Sequence, residues 1–105
     1  MSYRVIRSAR ANHDLVLFSQ FARSYGQDWA AHQLQRINRL FSIELPRSPH
    51  QWSYFYITGA PYRAYLFRAG RKIQYWIVYS VDDAAQTINI LRFWNASQDP
   101  DRFLP

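Results

Sequence analysis

Apolar and polar residues alternate at the start of the chain, in Tyr3-Arg4-Val5-Ile6-Arg7, and the pattern predicts a first strand. Ser8 is placed to cap a helix directly after it. From Ala9 to Tyr25 the period changes, and Leu15, Phe18, Ala22 and Tyr25 recur at helical spacing. Gly26 is the expected stop. Asp28 is expected to cap a second helix with Ala30, Leu34, Ile37, Phe41 and Leu45 on its inner stripe. His32, Gln35, Arg36 and Arg39 fall on its solvated face, and Pro46 and Pro49 are expected to end it in an extended loop.

The second half reads as strands. Tyr54–Thr58 is a short β-forming run broken by Gly59-Ala60-Pro61. Tyr62–Arg68 is a second run, and Ala69-Gly70-Arg71 turns the chain. Lys72–Val81 is a long strand, Asp82-Asp83 opens a turn, and Thr87–Trp94 is the final clear strand before a polar tail, Asn95–Pro105. Helices grouped ahead of strands predict a single α+β domain over 1–105. Two helices pack on one face of a mostly antiparallel sheet of four strands, or five if Tyr54–Thr58 joins it. Period-two geometry in the long strand puts Ile73, Tyr75, Ile77, Tyr79 and Val81 on the core face and Lys72, Gln74, Trp76, Val78 and Ser80 on the other. Arg92 shares parity with Ile88 and Ile90, so it either ends the core stripe at a strand edge or follows a bulge.

Composition narrows the chemistry. With 105 residues, 49% of them hydrophobic and 18% aromatic, the chain can bury a core. It contains no cysteine, which excludes disulfides, thiolate zinc ligands and thiol nucleophiles. No apolar run approaches the roughly 20 residues of a membrane span, and MSYRVIRSAR has no apolar signal core. A cytoplasmic protein with no membrane partner is the expectation. Thirteen basic residues stand against seven acidic ones, a net of +6, and Lys72 is the single lysine. Arginine forks match phosphates and carboxylates and stack on aromatic rings, so the expected partner is polyanionic.

His13, His32 and His50 lie far apart with no carboxylate at ligand spacing, so neither metal nor cofactor is expected. There is no P-loop, no dinucleotide fingerprint and no nucleophile elbow. Asp82-Asp83 reads as a turn, not a catalytic pair. Any catalysis would fall to Arg, Lys, Tyr or His acting on phosphate, as in metal-independent RNA cleavage.

Read in order, these segments resemble the RelE/ParE superfamily of bacterial toxins from type II toxin–antitoxin modules. Ala11-x-x-Asp14-Leu15 is similar to the motif opening the family's first helix. Gly26 and Ala30 fit the interhelical spacing, and Leu34, Ile37 and Leu40 fit the second helix. Arg63 fits the arginine that opens the next strand. Tyr75-Trp76-Ile77-Val78-Tyr79 resembles the Y-R-I-x-Y strand, and Ile88–Trp94 resembles the last strand.

The resemblance implies a toxin neutralised by a cognate antitoxin with a flexible acidic segment. Two targets are implied: DNA gyrase, inhibited by contact in the ParE branch, or ribosome-bound mRNA, cleaved in the RelE branch. The cleaving branch places a strand Arg where this chain has Trp76, a late basic residue near Ser97 and a C-terminal Tyr near Phe103. Phenylalanine has no hydroxyl to exchange a proton. Arg63 and Tyr65 fall near its pair of strand lysines. The departures favour ParE-like inhibition of gyrase. The alternatives are an endoribonuclease with a rearranged set, Arg63, Lys72 and Arg92, and a non-toxic interaction domain on the same scaffold. The expected partner-binding residues are Arg63, Arg71, Lys72, Gln74, Trp76, Arg92, Trp94 and Arg102.

Overall fold

The architecture was obtained as a computed structural model, and the structure describes residues 3–55 and 61–98. The chain runs β1 (Arg4–Arg7), α1 (Ala9–Arg23), α2 (Gln27–Arg39), a π-helical turn (Leu40–Glu44), α3 (Leu45–Arg47), β2 (Arg63–Gly70), β3 (Ile73–Asp82) and β4 (Thr87–Asn95). One four-stranded sheet has the order β1-β4-β3-β2. β1 lies parallel to β4, and the other pairings are antiparallel. The expected α+β architecture is therefore present.

Ser8 starts α1 as read from the sequence: its hydroxyl accepts the Ala11 N–H at 3.0 Å. The same hydroxyl donates to the Leu91 carbonyl at 2.9 Å, sewing the helix start to β4. Ala11, Phe18 and Ala22 are buried on its inner face. Tyr25, expected on that stripe, lies beyond the helix end and is exposed. The second helix begins earlier than Asp28 suggests. Gly26 is its N-cap at φ 125°, a conformation that suits glycine, and Asp28 sits in the first turn. There its carboxylate complements the positive helix end.

Pro46 does not end the helix. The chain widens into the π turn, where the Leu45 N–H reaches the Leu40 carbonyl, and helical backbone continues to Arg47. Proline at the head of the short α3 needs no N–H donor. Leu40, Phe41, Leu45 and Pro46 are buried as a result. Arg36, read as solvated, instead lies 4.6 Å over the Phe67 ring and donates to Gln33 Oε1 and the Arg68 carbonyl.

The period-two reading of β3 holds. Ile77 and Tyr79 are fully buried in the helix-side core, with Ile73, Tyr75 and Val81 packed against it. β2 runs on to Gly70, so the turn falls at Arg71-Lys72. The opposite sheet face is partly covered: Phe55, Ala64, Val78 and Trp94 form a second buried cluster flanked by Tyr62 and Trp76. Tyr54 makes an isolated antiparallel bridge to Arg63, and residues 56–58 of the expected extra strand lie outside the described residues.

The position of Arg92 is decided by a bulge. Val78 pairs with Arg92 but Tyr79 pairs with Ile90, so Leu91 is the extra residue and the parity of β4 inverts there. Ile88, Ile90 and Phe93 therefore all reach the core, while Trp94 joins the opposite cluster.

Candidate functional site

The candidate residues fall into three separate places. At the β2–β3 turn, Arg71, Lys72 and Gln74 line a shallow cavity of about 240 Å³ with Ala96 and Ser97 from the turn after β4. The Ala96 N–H donates to the Gln74 carbonyl at 2.9 Å, and Asn95 Oδ1 accepts from both the Ser97 N–H and its hydroxyl. These bonds hold the chain after β4 against the turn. Trp76 and Trp94 are cross-strand partners on the same face as Gln74. Trp76 is half-buried with its ring 5.8 Å from that of Phe55, and Trp94 is buried.

Arg92 lies off the outer edge of β4, beyond the point where β1 stops pairing. Its Nε donates to Asp14 Oδ2 at 2.7 Å and its Nη2 to Asp14 Oδ1 at 3.1 Å. The Phe93 N–H also donates to Asp14 Oδ2, at 3.0 Å. One carboxylate thus satisfies a strand-edge donor and a two-pronged guanidinium. The Arg92 guanidinium also sits 5.0 Å from the Trp94 ring. A cavity of about 410 Å³ opens between α1 and β4 here, lined in part by His13, Leu17, Phe21 and Tyr75.

Arg63 stands at the other end of β2, seven residues from Gly70, which is about 23 Å along a strand. Its fork donates to the carbonyls of Trp52 at 2.8 Å and His50 at 3.3 Å, and to the Tyr54 hydroxyl at 3.3 Å. The guanidinium also stacks 4.3 Å over the Tyr54 ring. Arg63 therefore pins the loop after α3 to the sheet. Arg63, Lys72 and Arg92 do not converge, and Arg102 lies outside the described residues, as does Phe103.

Near Arg63 the structure assembles a cluster that no sequence spacing announces. Asp83 Oδ1 accepts from the Tyr3 hydroxyl at 2.6 Å and meets His50 Nε2 at 2.8 Å. The Tyr3 and His50 rings stand edge-on at 6.3 Å. The hydrogen bond from Tyr3, then that from His50, holds the Asp83 carboxyl below its ordinary range. The same bond pushes the Tyr3 phenol up. The partners are 33 and 80 residues apart, and Asp82-Asp83 read alone is only a turn. Among the described residues, no three His, Asp or Glu side chains are grouped to hold a metal.

Tyr79 anchors the same loop from beneath, its hydroxyl donating to the Pro49 carbonyl at 2.8 Å. Burial pushes its phenol up to about 12. Its folded pKa thus exceeds the unfolded value, so its contribution is complete below pH 10 and is lost as pH rises toward 12. Thermal melts from pH 9 to 12 are expected to show a falling Tm, and Tyr79→Phe is expected to flatten that fall. An equal slope in the variant would assign the alkaline transition elsewhere.

No family model matches the sequence, and no curated protein matches it. Solved structures do. A chain of the toxin–antitoxin complex RelBE2 from Mycobacterium tuberculosis superposes with a TM-score of 0.59 at 21% identity, covering 90% of this chain and 99% of that one. A chain of the archaeal RelE–RelB complex from Pyrococcus horikoshii covers 94% of this chain and 100% of its own, with 20% identity and a TM-score of 0.44. The first likeness agrees with the helix pair and the β1-β4-β3-β2 sheet, and the chain has the RelE-like α+β fold.

Proposed function

We propose that this chain is the toxin of a type II toxin–antitoxin pair, neutralised by an antitoxin with a flexible acidic segment. We further propose that it acts in the cytoplasm by binding DNA gyrase. The fold is shared with a chain of a toxin–antitoxin complex, and the net charge of +6 suits an acidic partner. The observation that carries the choice of contact over cleavage is the scatter of the cationic groups. Arg63 is engaged by loop carbonyls, Arg92 by Asp14, and Lys72 lies at the far end of the sheet. Phosphate cleavage without a metal needs such groups aimed at one developing charge. On this reading Arg71, Lys72, Gln74 and Trp76 serve as contact surface, and the buried Trp94, expected among the contact residues, supports Trp76 from the neighbouring strand.

One observation favours the second reading, RNA cleavage. Arg71 and Lys72 share a cavity beside a tryptophan-bearing face, an arrangement that suits phosphate contact with base stacking. Pulse labelling after induced expression in a bacterium separates the two. DNA synthesis is expected to fall before protein synthesis. The reverse order would overturn the gyrase assignment and turn attention to Arg71 and Lys72. Continued synthesis of both, with folded protein present, would remove the toxin reading itself.

A further inference from the structure

β1 presents an open backbone edge. The Arg4 N–H donates to the Gln86 carbonyl and the Ser8 N–H to the Ile90 carbonyl, both at 2.9 Å, so the even positions of β1 aim their peptide groups at β4. By alternation, the N–H and C=O of Val5 and Arg7 point the other way, out of the sheet. Among the described residues no group takes them. Such an edge is a template for another strand.

The side chains along this edge specify what fits. Val5 packs into the core. Arg4, Ile6 and Arg7 are exposed, and neither arginine has an ion-pair partner among the described residues. Arg4 and Ile6 stand on one face of the sheet and Arg7 on the other, so the edge carries one guanidinium above and one below. Ile6 is 42% exposed beside Arg4.

We infer that the outer edge of β1 takes an added strand from an extended acidic segment of a partner protein. Acidic residues three apart lie on opposite faces of such a strand and meet Arg4 and Arg7. An apolar residue between them covers Ile6. The strand's backbone pairs with Val5 and Arg7. The inference rests on the reading that the partner brings an acidic flexible segment, and it names the place and the spacing that segment would use.

The test is an NMR titration of the isotope-labelled full chain with the capped peptide Thr-Thr-Glu-Val-Thr-Glu-Thr-Thr. The amides of Val5 and Arg7 are expected to shift and their hydrogen exchange to slow. Arg4→Glu and Arg7→Glu, both on the exposed edge, are each expected to weaken binding about tenfold, the loss of one charge-assisted contact. The same peptide with Lys for Glu should leave the amides unmoved. No response at Val5 and Arg7 would overturn the inference. So would an equal amide response to octaglutamate, which tests charge without a strand pattern, or to a uridine decanucleotide, which would make the edge a nucleic-acid contact. A silent edge in a chain that still arrests growth sinks only this inference. An engaged edge in a chain that does not arrest growth sinks the toxin reading instead.

Discussion

Asp14→Ala is expected to destabilise the fold by about 3–5 kcal/mol, the usual effect of stripping one partner from a buried ion pair. The side chains of Asp14 and Arg92 are 10% and 15% exposed. Removing the carboxylate leaves the Arg92 guanidinium largely desolvated, and it also strands the Phe93 N–H at the sheet edge. Asp14→Asn should fall between, because an amide oxygen still accepts from Phe93 while the charge is gone. Replacing both residues, as in Asp14→Leu with Arg92→Leu, should cost less than Asp14→Ala alone, since the guanidinium is then removed together with the carboxylate that faces it. Equilibrium urea unfolding reads all three. An Asp14→Ala loss below about 1 kcal/mol, the range of exposed ion pairs, would show that the pair is surface decoration. It would also return Arg92 to the groups available for function.

The second large effect is expected at Phe18. Its ring is 1% exposed and meets three others edge-on: Phe67 at 6.2 Å, Tyr75 at 5.1 Å and Phe93 at 5.1 Å. Those rings come from β2, β3 and β4, so this one side chain of α1 spans three strands of the sheet. Phe18→Ala should cost about 3–5 kcal/mol, from lost transfer energy and the cavity left behind. In a domain of this size that lowers Tm by on the order of 15 °C or more. Phe18→Leu keeps most of the volume and should lose much less. Similar losses in the two variants would place the energy in aromatic geometry instead of volume. Calorimetry on the pair distinguishes these outcomes.

These two residues also show what the sequence could and could not reveal. Phe18 was legible because helical periodicity places it with Ala22, and local spacing is all that a buried helix face requires. The core face of β3 was legible for the same reason, with period two in place of 3.6. Asp14 and Arg92 were visible separately, one in a helix motif and one at an ambiguous strand position. Their pairing spans 78 residues and depends on the bulge at Leu91, which no local rule places. Pro46 misled because its lost N–H normally ends a helix, and here a widened turn absorbs it. The proposed contact residues were only partly legible. Arg71, Lys72 and Gln74 do share one cavity, but Arg63 turned inward to the loop after α3. The Tyr3–His50–Asp83 cluster joins three segments and had no linear signature at all.

The parallel pairing of β1 with β4 joins Arg4 to Thr87 and carries a consequence for how the protein is made. During synthesis β1, α1 and α2 emerge before β4, the strand on which β1 and much of α1 close. Arg92 and Phe93, the partners of Asp14 and Phe18, lie in the final strand. Long-range closures of this kind slow folding and leave apolar faces uncovered while the chain grows. A partial chain without β4 therefore leaves α1 short of one of the three strands that Phe18 spans, and leaves Asp14 without its Arg92 and Phe93 partners. Nascent copies should depend on chaperones until β4 is free, and no copy has a completed core to act with before then.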